Sequence, residues 1–142
     1  MSTSRRELIL QELFSLLEGL PRVSPRIYRS RQEALSRGAA PALVLEPLSN
    51  EPAPNRAGAA TMPHALEVRL LLLVDHPVPD QDADSILVDI HQRLLLDQTL
   101  GGLAQNIEPG RTTWAMEADG LAVVETAYLV RYRTLIKDLT SG

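Results

Sequence analysis

The run from His64 to Asp75 constrains the fold more than any other part of the chain, because apolar side chains alternate through it almost without a break. Successive side chains of a strand point to opposite faces. Leu66, Val68, Leu70, Leu72 and Val74 therefore line one face, and Glu67, Arg69, Leu71, Leu73 and Asp75 the other. A helix would scatter these residues around its axis. The run predicts a strand, and its length from Leu66 to Val74 corresponds to ~30 Å. One face is wholly apolar and must be covered. The second is polar at its start and apolar at its end, so its surroundings change along the strand.

Two segments supply the cover. Near the N-terminus, Ser4 is placed to cap a helix and Glu7 follows three residues later, as in a capping box. Leu8, Ile9, Leu13, Leu16, Leu17 and Leu20 then recur at helical spacing, until Gly19 and Pro21 stop the pattern. The second helix is predicted over Asp82–Leu96. Asp80, Asp82 and Asp84 bring negative charge to its start, where the helix dipole favours it, and Ala83, Ile86, Leu87, Ile90 and Leu94 form its apolar face. Gly101-Gly102 ends any continuation.

The remaining segments read mainly as strands. Val23 to Arg31 holds a short strand, with a helical turn as an alternative over Ser30–Ser36. Ala42 to Glu46, bounded by Pro41 and Pro47, holds another. Pro47 to Pro63, with four prolines, reads as a long loop or arm between two strands. Thr112–Ala118 pairs with Ala122–Thr134 across the reversal Asp119-Gly120. The expected architecture is a single α+β domain over residues 1–142: a mainly antiparallel sheet, two helices packed on one face, and a loop or arm at 47–63.

Composition narrows the chemistry. The 142 residues contain no cysteine, which removes disulfides, thiolate nucleophiles and Cys-type zinc sites. A formal charge of -4 argues against a protein whose main task is wrapping nucleic acid. The longest apolar run, Leu70 to Val74, falls far short of the ~20 residues a bilayer requires, so no membrane role is expected. Glu7, Gln11, Glu12 and Glu18 interrupt what would be the apolar core of a signal peptide.

His64, His76 and His91 match no metal-ligand spacing. A calcium loop counted from Asp80 would need glycine and glutamate where Ser85 and His91 stand. No glycine-rich phosphate-binding loop with a following lysine is present, and no G-x-S-x-G. The expectation is a protein that is not an enzyme, with no catalytic residues, cofactor, metal or small-molecule substrate.

Two features point to interaction instead. Arg22 to Arg37 carries five arginines against Glu33 alone, while Asp75 to Asp97 carries six aspartates and one arginine. Copies packed head to tail in a ring would set one charge against the other. In addition, Leu71, Leu73, Val123 and Leu129 fall on the sheet face opposite the helices. Apolar surface there implies a partner, a neighbouring subunit or cover by the arm.

These residues also carry a family resemblance. The segment Leu94-Leu95-Leu96-Asp97-Gln98-Thr99-Leu100-Gly101-Gly102-Leu103-Ala104, the Trp114–Glu117 strand and the Tyr128-Leu129-Val130-Arg131-Tyr132-Arg133-Thr134 strand resemble the tail terminator and minor tail proteins of long-tailed bacteriophages. The N-terminal helix, Arg26-Ile27-Tyr28-Arg29 and Ala40-Pro41-Ala42-Leu43 fit the same pattern. The resemblance implies a structural virion protein, made in the host cytoplasm and located at the head-proximal end of the tail. Its subunits form a homo-oligomeric ring, usually a hexamer, that caps the tail tube and stops its polymerisation. The ring presents a surface to the head–tail connector or neck protein, and DNA passes transiently through its lumen.

The candidate subunit and tube contacts are then Arg26, Arg29, Arg31, Asn55, Arg56, Asp97, Leu100, Gly101, Gly102, Arg131 and Arg133. Leu100 has a second expectation, a place in the core beneath a helix cap. The rival readings are a neck or head–tail completion protein, and a small α+β ligand-binding domain or enzyme.

Overall fold

The alternating run is the central strand of a five-stranded sheet. In the computed structural model, which describes residues 2–30, 35–53 and 58–141, the strands are β1 (Ile27–Arg29), β2 (Ala42–Pro52), β3 (Thr61–Asp75), β4 (Asn106–Met116) and β5 (Leu121–Leu135). The helices are α1 (Arg5–Leu17) and α2 (Pro79–Leu94). The spatial order is β1-β2-β3-β5-β4, and every neighbouring pair is antiparallel except β1 with β2. This is the α+β architecture that the alternation and the helical spacing predict.

Strand β3 pairs with β5 along its whole length, from Thr61 opposite Leu135 to Asp75 opposite Leu121. Leu66, Val68, Leu70, Leu72 and Val74 are buried on the inner face, beside Val130, Tyr128, Thr126, Val124 and Ala122. The two helices cover this face with Ile9, Leu13 and Leu17 from α1 and Ala83, Ile86, Ile90 and Leu94 from α2. Each large aliphatic side chain buried in this way contributes roughly 1.5–3 kcal/mol.

Ser4 caps α1 as predicted, its hydroxyl accepting from the Glu7 N–H at 3.0 Å. The Glu7 side chain is held elsewhere, because Arg29 of β1 donates to both its carboxylate oxygens at 2.7 and 3.0 Å. The fork ties α1 to the edge of the sheet. Helix α2 begins three residues earlier than expected, at Pro79, since the first helical position needs no N–H and suits the fixed φ of proline. It also ends earlier, leaving Leu95 at the cap and Leu96 exposed.

Strand β2 corrects a second expectation. Pro47 does not end it; the strand continues to Pro52 with a register shift between Pro47 and Ser49. Leu43 donates its N–H to the Arg26 carbonyl, and the Leu45 carbonyl accepts from Ser30, so these backbones face β1. Pro47 has the same parity but stands past the three positions where β1 pairs. Its missing N–H therefore falls on an open edge, where a strand tolerates proline.

The expected arm at 47–63 is consequently mostly sheet. Asn50 stands opposite Leu66, Glu51 opposite Ala65 and Pro52 opposite His64, and the Ala53 N–H donates to the Pro63 carbonyl at 2.9 Å. Within the connection that follows, residues 54–57 lie outside the described residues, as does most of the helical turn considered over 30–36. Strand β4 starts at Asn106 rather than Thr112, since Pro109-Gly110 introduces a register shift that breaks the alternation. Its reversal into β5 occurs where predicted, with Asp119 and Gly120 at positive φ.

On the outer face neither α1 nor α2 packs, yet Ala42, Val44 and Leu73 are buried. Arg37, in the link between β1 and β2, pairs with Asp75 at 2.8 Å and donates to the carbonyls of Asp119 and Ala118. The described part of the link, residues 35–41, thus returns to this end of the sheet, where Leu73 is buried, while Leu71, Val123 and Leu129 are half-buried.

Candidate interaction surfaces

Beyond the Arg37 link, no element among the described residues covers the outer face. Arg69 of β3 bridges Glu46 of β2 and Glu125 of β5, forming a charged bar across three strands. Past this bar lie Glu67, Arg111, Thr113 and Ala127 around a shallow depression, with Leu48 at its margin 48% exposed. Leu129 stands half-buried on the same face, opposite Glu67 in register. These groups come from four strands, so only the folded sheet assembles them.

The interface residues named from sequence form two groups. At the β1 edge, Arg26 donates from Nε to the Pro41 carbonyl at 2.9 Å, and Arg29 is engaged with Glu7. At the far end of the sheet, Arg131 pairs with Glu108, and Arg133 donates to the Thr61 hydroxyl. The Asp97–Gly102 turn belongs to this second group, because Gln105, just beyond it, donates its N–H to the Arg131 carbonyl at 2.7 Å. Arg31, Asn55 and Arg56 lie outside the described residues.

The turn after α2 is tightly built. Asp97 accepts from the Thr99 hydroxyl, the Gly101 N–H and the Thr99 N–H, and these bonds hold its carboxyl below the usual aspartate range. Gly101 and Gly102 have positive φ and are exposed. Leu100 points inward, only 2% exposed, so the second of its two expectations describes its position. It fastens the turn to the core rather than offering surface.

The charge asymmetry is partly consumed within the chain. Arg22 pairs with Asp82 and donates to the Ser85 hydroxyl at 2.9 Å, so the basic and acidic segments meet inside one subunit. Arg37 with Asp75 is a second such pair.

Sequence reasoning missed a surface on the opposite side of the molecule. Between α2 and β4 runs a trough in which His91 Nδ1 lies 3.0 Å from the Tyr128 hydroxyl. Burial pushes the Tyr128 phenol up to about 12. The trough continues past exposed Trp114 and Met116 to Asp80 and Asp84. The available signal was the uncharged run Thr112–Met116, but its meaning depends on β4 being an outer strand.

Among the described residues, no group of three or more histidine, aspartate or glutamate side chains is placed to hold a metal ion. No helix among the described residues is long and apolar enough to cross a membrane. No family model and no curated protein matches the chain. Among solved structures, it is similar to a chain from the virion of a native gene transfer agent particle, with 9% sequence identity, a TM-score of 0.47, and 85% of this chain and 84% of that chain covered.

Proposed function

We propose that this chain is a structural virion protein, a tail terminator subunit that assembles into a hexameric ring on the tail tube. The ring stops tube polymerisation and gives the head–tail connector a surface to join. It performs no catalysis and needs no cofactor, and DNA crosses its lumen only as a passenger.

The observation that carries this reading is the bare outer sheet face. Leu48, Leu129, Glu67 and Arg111 lie there without a covering layer among the described residues. A ring subunit needs broad contact faces that a neighbour completes, not an enclosed cavity. The sequence resemblance around Asp97–Ala104 and in β5 supplies the class of assembly.

A decisive test is loss of the protein during particle assembly. Without it, tails should grow to irregular length, and normal-length tails would overturn the assignment. Native mass measurement of the chain with tail-tube protein separates the rivals: a hexamer supports the terminator and a dodecamer a neck or head–tail completion protein. A small ligand-binding domain is the second reading, and the hollow of about 350 Å³ beside His91 and Tyr128 favours it. A chain that stays monomeric with the tube protein, and whose loss leaves tails unaltered, would be that domain.

A further inference from the structure

We propose that the free edge of β4 accepts a sixth strand from another protein, an extended segment of alternating apolar side chains with a lysine or arginine at the end nearest Asp80 and Asp84. Among the described residues three stretches of sheet edge are open, and two are protected. Strand β1 is only three residues long, preceded by Arg26 and ending in Arg29. The part of β2 beyond β1 carries Pro47, Glu51 and Pro52. Prolines, charges and short length are the usual guards against strand addition. Thr112-Thr113-Trp114-Ala115-Met116 has none of them.

The backbone at this edge is ready to pair. The Glu117 N–H donates to the Leu121 carbonyl at 2.8 Å, which fixes the phase of the β4–β5 ladder. Alternate residues in an antiparallel pair face their partner. Ala115 and Thr113 therefore face β5, and the N–H and C=O groups of Thr112, Trp114 and Met116 face away from it. The side chains of the same three residues lie on the helix-covered face, in register with Thr126, Val124 and Ala122.

Those side chains form one wall of the trough, and α2 forms the other. Trp114 and Met116 are 52% and 53% exposed, beside a hollow of about 600 Å³ that Asp80 and Asp84 also line. Leu87, Val88 and His91 continue the wall toward Thr112. From Asp80 to His91 the helix rises ~16 Å. A five-residue strand spans ~17 Å. A strand paired to Thr112–Met116 thus runs the length of the trough and places every second side chain in it.

Charge selects the occupant. Asp82 is paired with Arg22, whereas Asp80 and Asp84 have no cation partner among the described residues. Their two negative charges outweigh the roughly half positive charge of the helix N-terminus. A second copy of this chain is a poor match. Its β4 run has no basic residue, and its other two edges are the guarded ones.

Trp114 is the only tryptophan in the chain, so its emission reports this edge directly. The probes are synthetic peptides of alternating valine and threonine with one terminal lysine, made in both orientations, and their glutamate counterparts. A lysine peptide should shift Trp114 emission to the blue and bind about tenfold more tightly than the glutamate form at low salt. Asp84→Lys should reverse that preference, and Met116→Pro should abolish the shift by removing an outward N–H. If Met116→Pro fails to fold, the Asp84→Lys reversal still decides the matter. Unresponsive emission, or equal response to lysine and glutamate peptides, would overturn the proposal. A blue shift produced only by raising the concentration of the chain itself would assign the edge to a second copy and overturn it equally.

Discussion

His64 sits at the root of the β2–β3 hairpin, 5% exposed, with its ring stacked on Tyr132 at a centroid distance of 4.6 Å. The Tyr132 hydroxyl donates to Asn50 Oδ1, which turns the Asn50 amide nitrogen toward His64 Nδ1 at 3.2 Å. Nδ1 must then accept, so Nε2 carries the proton and donates to the Thr134 hydroxyl at 2.9 Å. The neutral ring satisfies all four groups. A second proton would set one N–H against another and charge a ring that burial, assisted by the nearby Arg6 cation, already keeps below its ordinary value of 6.5. The unfolded chain takes that proton at higher pH than the folded one. Stability is therefore greatest above about 6.5 and falls as pH drops toward the folded-state value. The urea midpoint should decline between pH 7 and pH 5. The His64→Gln variant, less stable at neutral pH, should lose that part of the slope. Glu7, Asp97 and Asp138 have depressed values and titrate below this window. An unchanged slope in His64→Gln would assign the pH dependence elsewhere.

At the scale of elements, the β4–β5 hairpin depends on its turn fitting against the end of β3. Gly120 has φ +81°, its carbonyl accepts from the His76 N–H, and a Cβ added there would lie 2.5 Å from the His76 carbonyl oxygen. Gly120→Ala should cost at least about 1 kcal/mol, seen as a lower denaturation midpoint. Gly101→Ala, also at positive φ but facing open space, should cost less, because it carries conformational strain without the collision. Equal losses would mean that the turn relaxes away from His76. The Asp119-Gly120 reversal was legible in sequence for the same reason it is sensitive, since positive φ leaves few residue choices. So were the alternation of β3 and β5 and the Ser4 cap, all of which are local patterns. What sequence did not reveal depends on neighbours. Pro47 is acceptable only because β1 is too short to reach it. Pro109-Gly110 interrupts β4 while β5 keeps pairing on both sides. Glu7 leaves its capping position because β1 brings Arg29 within reach. The Asp97–Gly102 turn could be read in advance, but the trough could not, since no spacing along the chain shows that α2 and β4 lie side by side.

Across the whole molecule, the proposed function gives the two sides of one sheet different tasks, and two leucines separate them. Leu70, fully buried between β3 and the helices, belongs to folding. Leu48, on the bare face, belongs under the proposed function to assembly. Leu70→Ala should lose roughly 2–5 kcal/mol, through lost transfer energy and the cavity left behind. Leu48→Lys should stay within about 0.5 kcal/mol of the parent, because its side chain already meets solvent and no core contact is removed. The same substitution places a charge where a neighbouring subunit would seat, next to the Arg69 bar and beside Arg111. It should therefore reduce ring formation with tail-tube protein while leaving the urea transition intact. Measuring both quantities on both variants distinguishes a contact face from a face that merely lacks cover. If Leu48→Lys assembles as the parent does, the subunits meet elsewhere. The bare sheet would then no longer carry the ring assignment.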